Sequence, residues 1–373
     1  MDSFDRSDLK ERNRAIVYSL FAAKRNLSKA DVSRETGISG PTVLKIVEYF
    51  EQMNLLIPAD EIEQSNLTLG RRPRPLKLNP DAVYTIGVEY DGIHLALGIV
   101  DTLGNLRLLL RKQISENLEI VINNYLENLI YELIDSARLP MKNIVGIGIG
   151  LPGTVNPKSH IIKFAPLVGV SNELDLSQSI SCLESNLSMP VVVENDANVA
   201  ALGEYARRFK GNDTDLLFAI VGRGFGAGLI LDGKLRRGPR QFTGEIGYLV
   251  FDPLWQASFT KPGWLEAQAD LASFWSEVVF SGGPSEKALE RVTNYLAISL
   301  SSICISLDIE QIILGGLRGM SFESELIQMI QKRISQVSVL PITCTAPLAE
   351  EPGVIGAGRL ALDYWLQEIF KGP

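Results

Sequence analysis

The feature that most limits the fold is a change of rhythm at Val83. After it, the runs YTIGVEY, HLALGIV, IVGIGIGL, MPVVVEN and LLFAIVG read as strands. They alternate with helical stretches such as LEIVINNYLENLIYELIDSA and ANVAALGEYARRF. Such alternation predicts an α/β body. Glycine clusters stand at the strand ends, where α/β proteins place ligands.

The 82 residues before this body obey a different pattern. Residues 6–45 hold nine basic and four acidic residues, in a chain of 373 residues whose net charge is −8. A basic segment on an acidic body is the asymmetry of a DNA-reading module fused to another domain. Ile16, Val17, Leu20 and Phe21 are spaced for one helix face. Ser28, with Asp31 three residues on, is an N-cap for a second helix, KADVSRET. Gly37 stops it, with room for a left-handed turn. Ser39 then caps a third helix, with Pro41 tolerated in its first turn. Val43, Ile46, Val47 and Phe50 form the core stripe of that helix. Helix, glycine turn, helix is the helix-turn-helix plan, and the second helix of such a pair enters the major groove. Ser39, Gly40, Pro41, Thr42 and Lys45 would face DNA there, Thr42 at a base edge and Lys45 at a phosphate or guanine. LLIPA and LKLNP supply a small β wing. In the linker TLGRRPRPLKL two prolines hold the chain extended. Its arginines, Arg71 and Arg72 foremost, either are solvated or reach into a narrow minor groove.

Hydrophobic residues make up 46% and charged residues 21%, the balance of an ordinary globular protein. No apolar run approaches bilayer length, and MDSFDRSDLKERNR is too charged for a signal peptide. The expectation is a cytoplasmic protein with no membrane partner. Cys182, Cys304 and Cys344 form no CxxC pair, so neither a disulfide framework nor a cysteine zinc site is suggested. His94 and His160, the two histidines, are isolated.

Four glycine clusters, in order, carry a family resemblance: GVEYDGIH; GIGIGLPGTVNP with VVVENDANVAALGE; VGRGFGAGLILDGKLRRGPRQFTGEIGYLVFDP; and LDIEQIILGGL. GVIGAGRLAL near the end also fits. Together they resemble the ROK family of repressors, open reading frames and sugar kinases, most closely its xylose-repressor and Mlc/NagC regulators. The resemblance implies a two-lobed, actin-like ATPase (ribonuclease H-like) α/β fold behind a winged helix-turn-helix. The expected division is residues 1–69 for the DNA-binding domain, 70–80 for the linker and 81–373 for the kinase-like effector and dimerisation domain.

Phosphoryl transfer needs backbone amides for phosphate, a metal and a base. The family hairpin reads Asp-x-Gly-Gly-Thr, but here it is Glu89, Tyr90, Asp91, Gly92 and Ile93. A carboxylate at Asp91 would crowd and repel phosphate, and Ile93 has no hydroxyl to donate. The second turn keeps its glycines, Gly222 and Gly224 among them, but Arg223 replaces a threonine. Arg223 would bind an anion, or fill the empty phosphate space by pairing with Asp91 or Glu89. The sugar side is better kept. The resemblance makes Asn195 and Asp196 the strand-end pair, with Asp196 at the position of the family base, and Glu245 and Glu266 sugar-binding carboxylates. Tyr248 stands where the family has a zinc-binding histidine, and the stretch LWQASFTKPGWLEAQ has no cysteine or histidine. Zinc is therefore not expected, and Trp255, Phe259 and Trp264 would order this loop by packing. Leu167 replaces an asparagine that helps hold sugar.

The resemblance thus implies a sugar-responsive regulator, in the usual family arrangement a repressor, with no ATP-Mg cofactor. Its partners would be double-stranded operator DNA, a sugar or sugar derivative, and a second copy of the chain, with a dimer of dimers also open. Two alternatives stay open: an active ATP-dependent sugar kinase carrying a DNA-binding head, and a body that only dimerises the head.

Overall fold

A computed structural model describes residues 6–24, 26–59, 74–165, 168–208, 214–256 and 263–372. The N-terminal region contains the helices α1 (Arg6–Ala23), α2 (Lys29–Thr36) and α3 (Gly40–Gln52). α2 begins in a reciprocal cap: Ser28 Oγ accepts the Asp31 amide, and the Asp31 carboxylate accepts the Ser28 amide. It ends at Gly37, whose φ of 71° costs glycine least.

α3 starts differently from expectation. The Ser39 hydroxyl pairs with Thr42 Oγ1 at 2.9 Å and caps no amide. The Ser39 carbonyl instead takes the amides of Thr42 and Val43. Pro41 in the first turn brings no amide of its own, so little is left for the side chain to satisfy. The stripe Val43, Ile46, Val47 and Phe50 is buried as the spacing predicts. On α1, Val17 and Phe21 are buried, but Ile16 is 37% exposed and Tyr18 is buried in its place. The cause is a second packing partner that local periodicity cannot reveal. The C-terminal helix Pro352–Lys371 lies against α1 and sets Phe370 5.8 Å from the Tyr18 ring. Strands β1 (Leu56–Pro58) and β2 (Leu76–Leu78) pair antiparallel, with Leu56 opposite Leu78.

The body has two lobes. The first contains β3 (Tyr84–Tyr90), β4 (His94–Asp101), β5 (Leu106–Gln113) and β6 (Ile144–Leu151). A small sheet follows, β7 (Thr154–Asn156), β8 (Ile161–Ala165) and β9 (Val170–Asp175), and then β10 (Val191–Asn195). The second lobe contains β11 (Leu216–Val221), β12 (Phe225–Leu231), β13 (Lys234–Leu235), β14 (Gln311–Gly315) and β15 (Thr343–Thr345). The two large sheets run β10-β6-β3-β4-β5 and β13-β12-β11-β14-β15. Each has one central strand, β3 or β11. An antiparallel hairpin partner flanks it on one side and a parallel strand on the other. The β3–β4 turn and the β11–β12 turn therefore hold equivalent places in the two lobes.

The C-terminal helix fastens the first lobe together. A Cβ at Gly148 would stand 1.8 Å from the Ala357 carbonyl oxygen, and one at Gly356 would stand 1.6 Å from that of Val199. Glycine at these points lets the helix lie backbone to backbone on β6 and on the helix Asp196–Arg208. Beyond the sheet the same helix joins the head, where Leu362, Leu366 and Phe370 share a core with Phe21, Val47 and Phe50. Among the described residues, no helix is long and apolar enough to cross a membrane.

Candidate functional site

The first hairpin turn is occupied by its own side chain. Asp91 Oδ1 accepts the amides of Ile93 at 2.8 Å and His94 at 2.7 Å. Asp91 Oδ2 lies 3.1 Å from His94 Nδ1. Turn amides of this kind are what a phosphate needs, and here a carboxylate already holds them. Tyr90 does not obstruct the cleft. It is buried in the first lobe, and its hydroxyl donates to the Ile114 and Glu116 carbonyls. Arg223 is exposed and forms no ion pair among the described residues, so the expected pairing with Asp91 or Glu89 is not made. Asp91 is satisfied within its own turn, which removes the demand for a cation from the opposite lobe.

The second turn is also internally bonded. The Gly222 amide donates to the Gly224 carbonyl at 3.1 Å, and the Trp275 indole N–H donates to the Gly222 carbonyl. Glu266 accepts the Phe225 amide at 2.9 Å. Its carboxylate fills the space beside Gly224 and Gly247, where any Cβ would collide with it. Glu266 thus clamps the second turn to the Ile246–Tyr248 turn.

The sugar-side residues do converge. Asn195 ends β10, and its side-chain amide donates to the Gly153 carbonyl at 3.0 Å and to Asp196 Oδ1 at 2.9 Å. Asn195 Oδ1 accepts the Asn198 amide, so it also caps the helix that Asp196 opens. Thr154 Oγ1 donates to Glu245 Oε1 at 3.4 Å. Burial pushes the Asp196 carboxyl up to about 6, against hydrogen bonds from Ala197 and Asn195. Burial, then the Asp196 charge, pushes Glu245 up to about 7. Glu89 rises to about 8, first by burial and then by the charges of Asp196, Glu351 and Asp91. Burial also raises Glu266 and the Tyr248 hydroxyl. Carboxyls poised this way near neutral pH can accept hydrogen bonds from vicinal hydroxyls when ionised and donate one to them when protonated.

Three contributors escaped the sequence reading. Thr154 lay in a quoted motif but carried no signal of its own. Glu194 is buried, accepts the Asn195 amide at 3.0 Å and the Asn198 side chain at 2.9 Å, and pairs with Arg237 of the second lobe. Glu351, at the start of the C-terminal helix, pairs with Arg111 beside Glu89. Neither long-range pair leaves a local trace in the sequence.

On the head, Ser39, Gly40, Pro41 and Lys45 are exposed and Thr42 is half-buried. Arg71 and Arg72 lie outside the described residues, as do Leu167 and Phe259. Of the aromatics expected to order the loop before Glu266, Trp264 is buried against Phe251 and Tyr295, and Trp255 is half-buried against the same core. The donors of that loop do not fit zinc, since residues 249–268 contain neither cysteine nor histidine. The hairpin does not fit the phosphates of ATP, because Asp91 occupies its amides. Among the described residues, no cluster of three or more His, Cys, Asp or Glu side chains is arranged around a metal position.

Comparison with known proteins places this geometry. The sequence profile of the ROK family matches residues 85–269. The chain carries a ROK family domain, on the two-lobed, actin-like fold with mixed sheets. It is 29% identical to the xylose repressor of Bacillus spizizenii over 254 residues, 68% of this chain and 64% of the repressor. The chain thus aligns with less than two thirds of that protein's length. It is 33% identical to a glucokinase of Streptomyces coelicolor over 169 residues, 45% of this chain and 50% of the kinase. The crystal structure of a ROK family transcriptional regulator, a homologue of the E. coli Mlc protein, superposes with a TM-score of 0.75 at 21% identity. That match covers 98% of this chain and 100% of the other, so the head and the body share its fold.

Proposed function

We propose that the protein is a sugar-responsive, DNA-binding transcriptional regulator, a repressor, whose kinase-like body senses a sugar and has lost ATP-dependent phosphoryl transfer. The observation that carries the reading is the Asp91 carboxylate on the amides of Ile93 and His94. It leaves the hairpin's shape and removes its phosphate site, while Asn195, Asp196 and Glu245 keep hydroxyl partners in the cleft. The resemblance of the matched region to a xylose repressor supports the same reading.

In this reading the head is a winged helix-turn-helix whose wing joins β1, from residues 1–69, to β2, which comes from the 70–80 segment and packs in the head core. α3 enters the major groove, with Thr42 and Lys45 on the DNA. Arg71 and Arg72 of the 70–80 linker reach the minor groove. Residues 81–373 form the effector body, and two copies place two heads on two half-sites. Tyr248 offers a hydroxyl to the sugar.

The C-terminal helix supplies the coupling. It begins beside Glu89 and Glu351, packs on the helix that Asp196 opens, and ends in the head core. Arg14 donates to the carbonyls of Phe370 at 3.1 Å and Gly372 at 2.9 Å, and Tyr49 donates to that of Ile369. Twenty helical residues span about 30 Å as a stiff unit. A ligand that favours one lobe arrangement would tilt this helix and move the heads out of register. It shifts the equilibrium only by its difference in affinity for the two states.

The test uses a duplex enriched by the protein from a random-sequence library. Fluorescence anisotropy would show binding that a sugar from an aldose and amino-sugar panel releases, while a coupled kinase assay shows no turnover. Turnover abolished by Asp196→Asn would establish the kinase instead. Enrichment of no duplex would remove the regulator reading. Unchanged operator affinity and salt slope in the double variant Arg71→Ala, Arg72→Ala would remove the minor-groove contact alone.

A further inference from the structure

We infer that the mouth of the cleft carries an aromatic subsite for a second sugar ring, so that the effector is a disaccharide rather than a monosaccharide. The inference rests on the sugar-sensing reading above and goes beyond it. Three residues build the subsite: Phe242, Tyr248 and Phe164.

Phe242, Glu245 and Tyr248 are spaced by three residues along two successive tight turns. The Glu245 amide donates to the Phe242 carbonyl, and the Tyr248 amide donates to the Glu245 carbonyl at 3.2 Å. The turns are fixed at Gly244, whose carbonyl accepts the Ala227 amide at 2.8 Å. A Cβ on Gly244 would lie 1.7 Å from the Ala227 carbonyl oxygen, so only glycine holds the turns this close to β12. The turns therefore set the two aromatic residues on either side of Glu245 in the chain and bring their rings together. The Glu245 carboxyl is engaged by Thr154. The rings remain open, Phe242 41% exposed and Tyr248 38% exposed, with centroids 6.0 Å apart.

The first lobe adds the third ring. Phe164, on β8, meets Phe242 edge-on, with centroids 5.7 Å apart. Its φ of 55° is uncommon for a bulky residue, and such conformations persist where surrounding contacts impose them. The rim is thus shared by β8 and the segment after β13.

The chemistry of this rim selects its occupant. A pyranose ring has one face of weakly positive C–H groups and an edge of hydroxyls. Aromatic faces carry negative charge density and take the first, while carboxyls take the second. The inner ring uses Asn195, Asp196 and Glu245. The outer ring rests on Phe242 and Tyr248 with its hydroxyls toward Glu245. Solvent-exposed aromatic faces beside convergent polar groups are the usual composition of a ligand site.

The test is isothermal titration of the full chain with two sugar pairs, d-xylose against xylobiose and d-glucose against cellobiose. In at least one pair the disaccharide should bind about tenfold more tightly, the size of a good aromatic contact. Phe242→Ala should remove that advantage while the monosaccharide Kd changes by less than about twofold, and Phe242→Tyr should keep it. A monosaccharide that binds with no gain from the second ring would overturn the subsite alone. So would an equal loss of both sugars in Phe242→Ala. Binding by none of the four sugars would overturn the subsite, and if no sugar of the aldose and amino-sugar panel releases the duplex either, the sugar-sensing reading falls with it.

Discussion

The Glu89 carboxylate rests directly on Gly353, in the first turn of the C-terminal helix: a Cβ there would lie 2.2 Å from Glu89 Oε2. Glycine lets the acid of the first hairpin lie against the start of the helix that reaches the head, and a larger residue there would have to push the Glu89 side chain aside. Asp91, Asp196 and Glu351 all raise the cost of charging Glu89.

That cost predicts a pH dependence. Glu89 titrates at about 8 in the native protein, against 4.5 for the free side chain. Between those values the native state holds a proton that the unfolded chain has released. Stability therefore falls as pH rises through this window and is recovered on acidification. Asp196 and Glu245 shift in the same direction and add to the slope. Glu89→Gln should flatten the decline of Tm between about pH 5 and pH 8 and raise Tm by a few degrees at the upper end. Parallel curves for the variant and the native protein would mean that Glu89 titrates as an ordinary carboxylate.

Phe370 belongs to the body's last helix yet packs in the head, with its ring 6.2 Å from Phe50 and 5.8 Å from Tyr18. Phe370→Ala leaves a cavity there and should cost about 3 kcal/mol. The loss should be local. Amide exchange should quicken in α1 and α3 while β3 and β6 keep their protection. Uniform loss across the chain would show that head and body unfold as one unit.

How legible all this was depended on range. The stripe Val43, Ile46, Val47 and Phe50 and the hairpin β3–β4 were readable because helical and strand periods are local. The capping box at Ser28 and the left-handed Gly37 were readable because each uses residues within a few positions. Ile16 was misplaced because the C-terminal helix, more than 330 residues away, decides which face of α1 is covered. The side-chain cap by Ser39 failed because the backbone carbonyl already met the demand. Of the two roles open to Arg223, an anion site or a partner across the cleft, the second is not met, because Asp91 has closer partners in its own turn. Asp196 and Glu245 are candidates through motif resemblance rather than through any local chemical pattern. Glu194 and Arg237, equally placed at the cleft, were missed because their pairing joins two lobes.

That pairing is itself testable. Glu194 is 1% exposed and has two hydrogen bonds besides its contact with Arg237. Arg237→Ala leaves a buried carboxylate without its cation, which should cost about 3 kcal/mol. Adding Glu194→Gln should restore part of the loss, because a neutral amide needs no counter-charge. The double-mutant cycle in urea measures this coupling. Strict additivity would mean that the pair contributes nothing to holding the lobes.

The cap of α2 gives the opposite pH limb from Glu89. Ser28 Oγ and the Ser28 amide both hydrogen-bond the Asp31 carboxylate, and these bonds hold its pKa below 3.8. A depressed carboxylate stabilises the native state fully above its unfolded pKa, and the contribution is lost as pH falls through its folded value. Ser28→Ala removes the cap for the Asp31 amide and should cost about 1 kcal/mol at neutral pH. The cost should shrink in acid, below the ordinary carboxylate range, as Asp31 gains its proton in both proteins. In the proposed reading α2 is the first helix of a helix-turn-helix pair, so the variant should also weaken operator binding without changing sugar affinity. The measurement is a pair of titrations, anisotropy with the selected duplex and calorimetry with the sugar. A change in the sugar curve would mean that the cap of α2 is coupled to the cleft, which no contact near Ser28 provides.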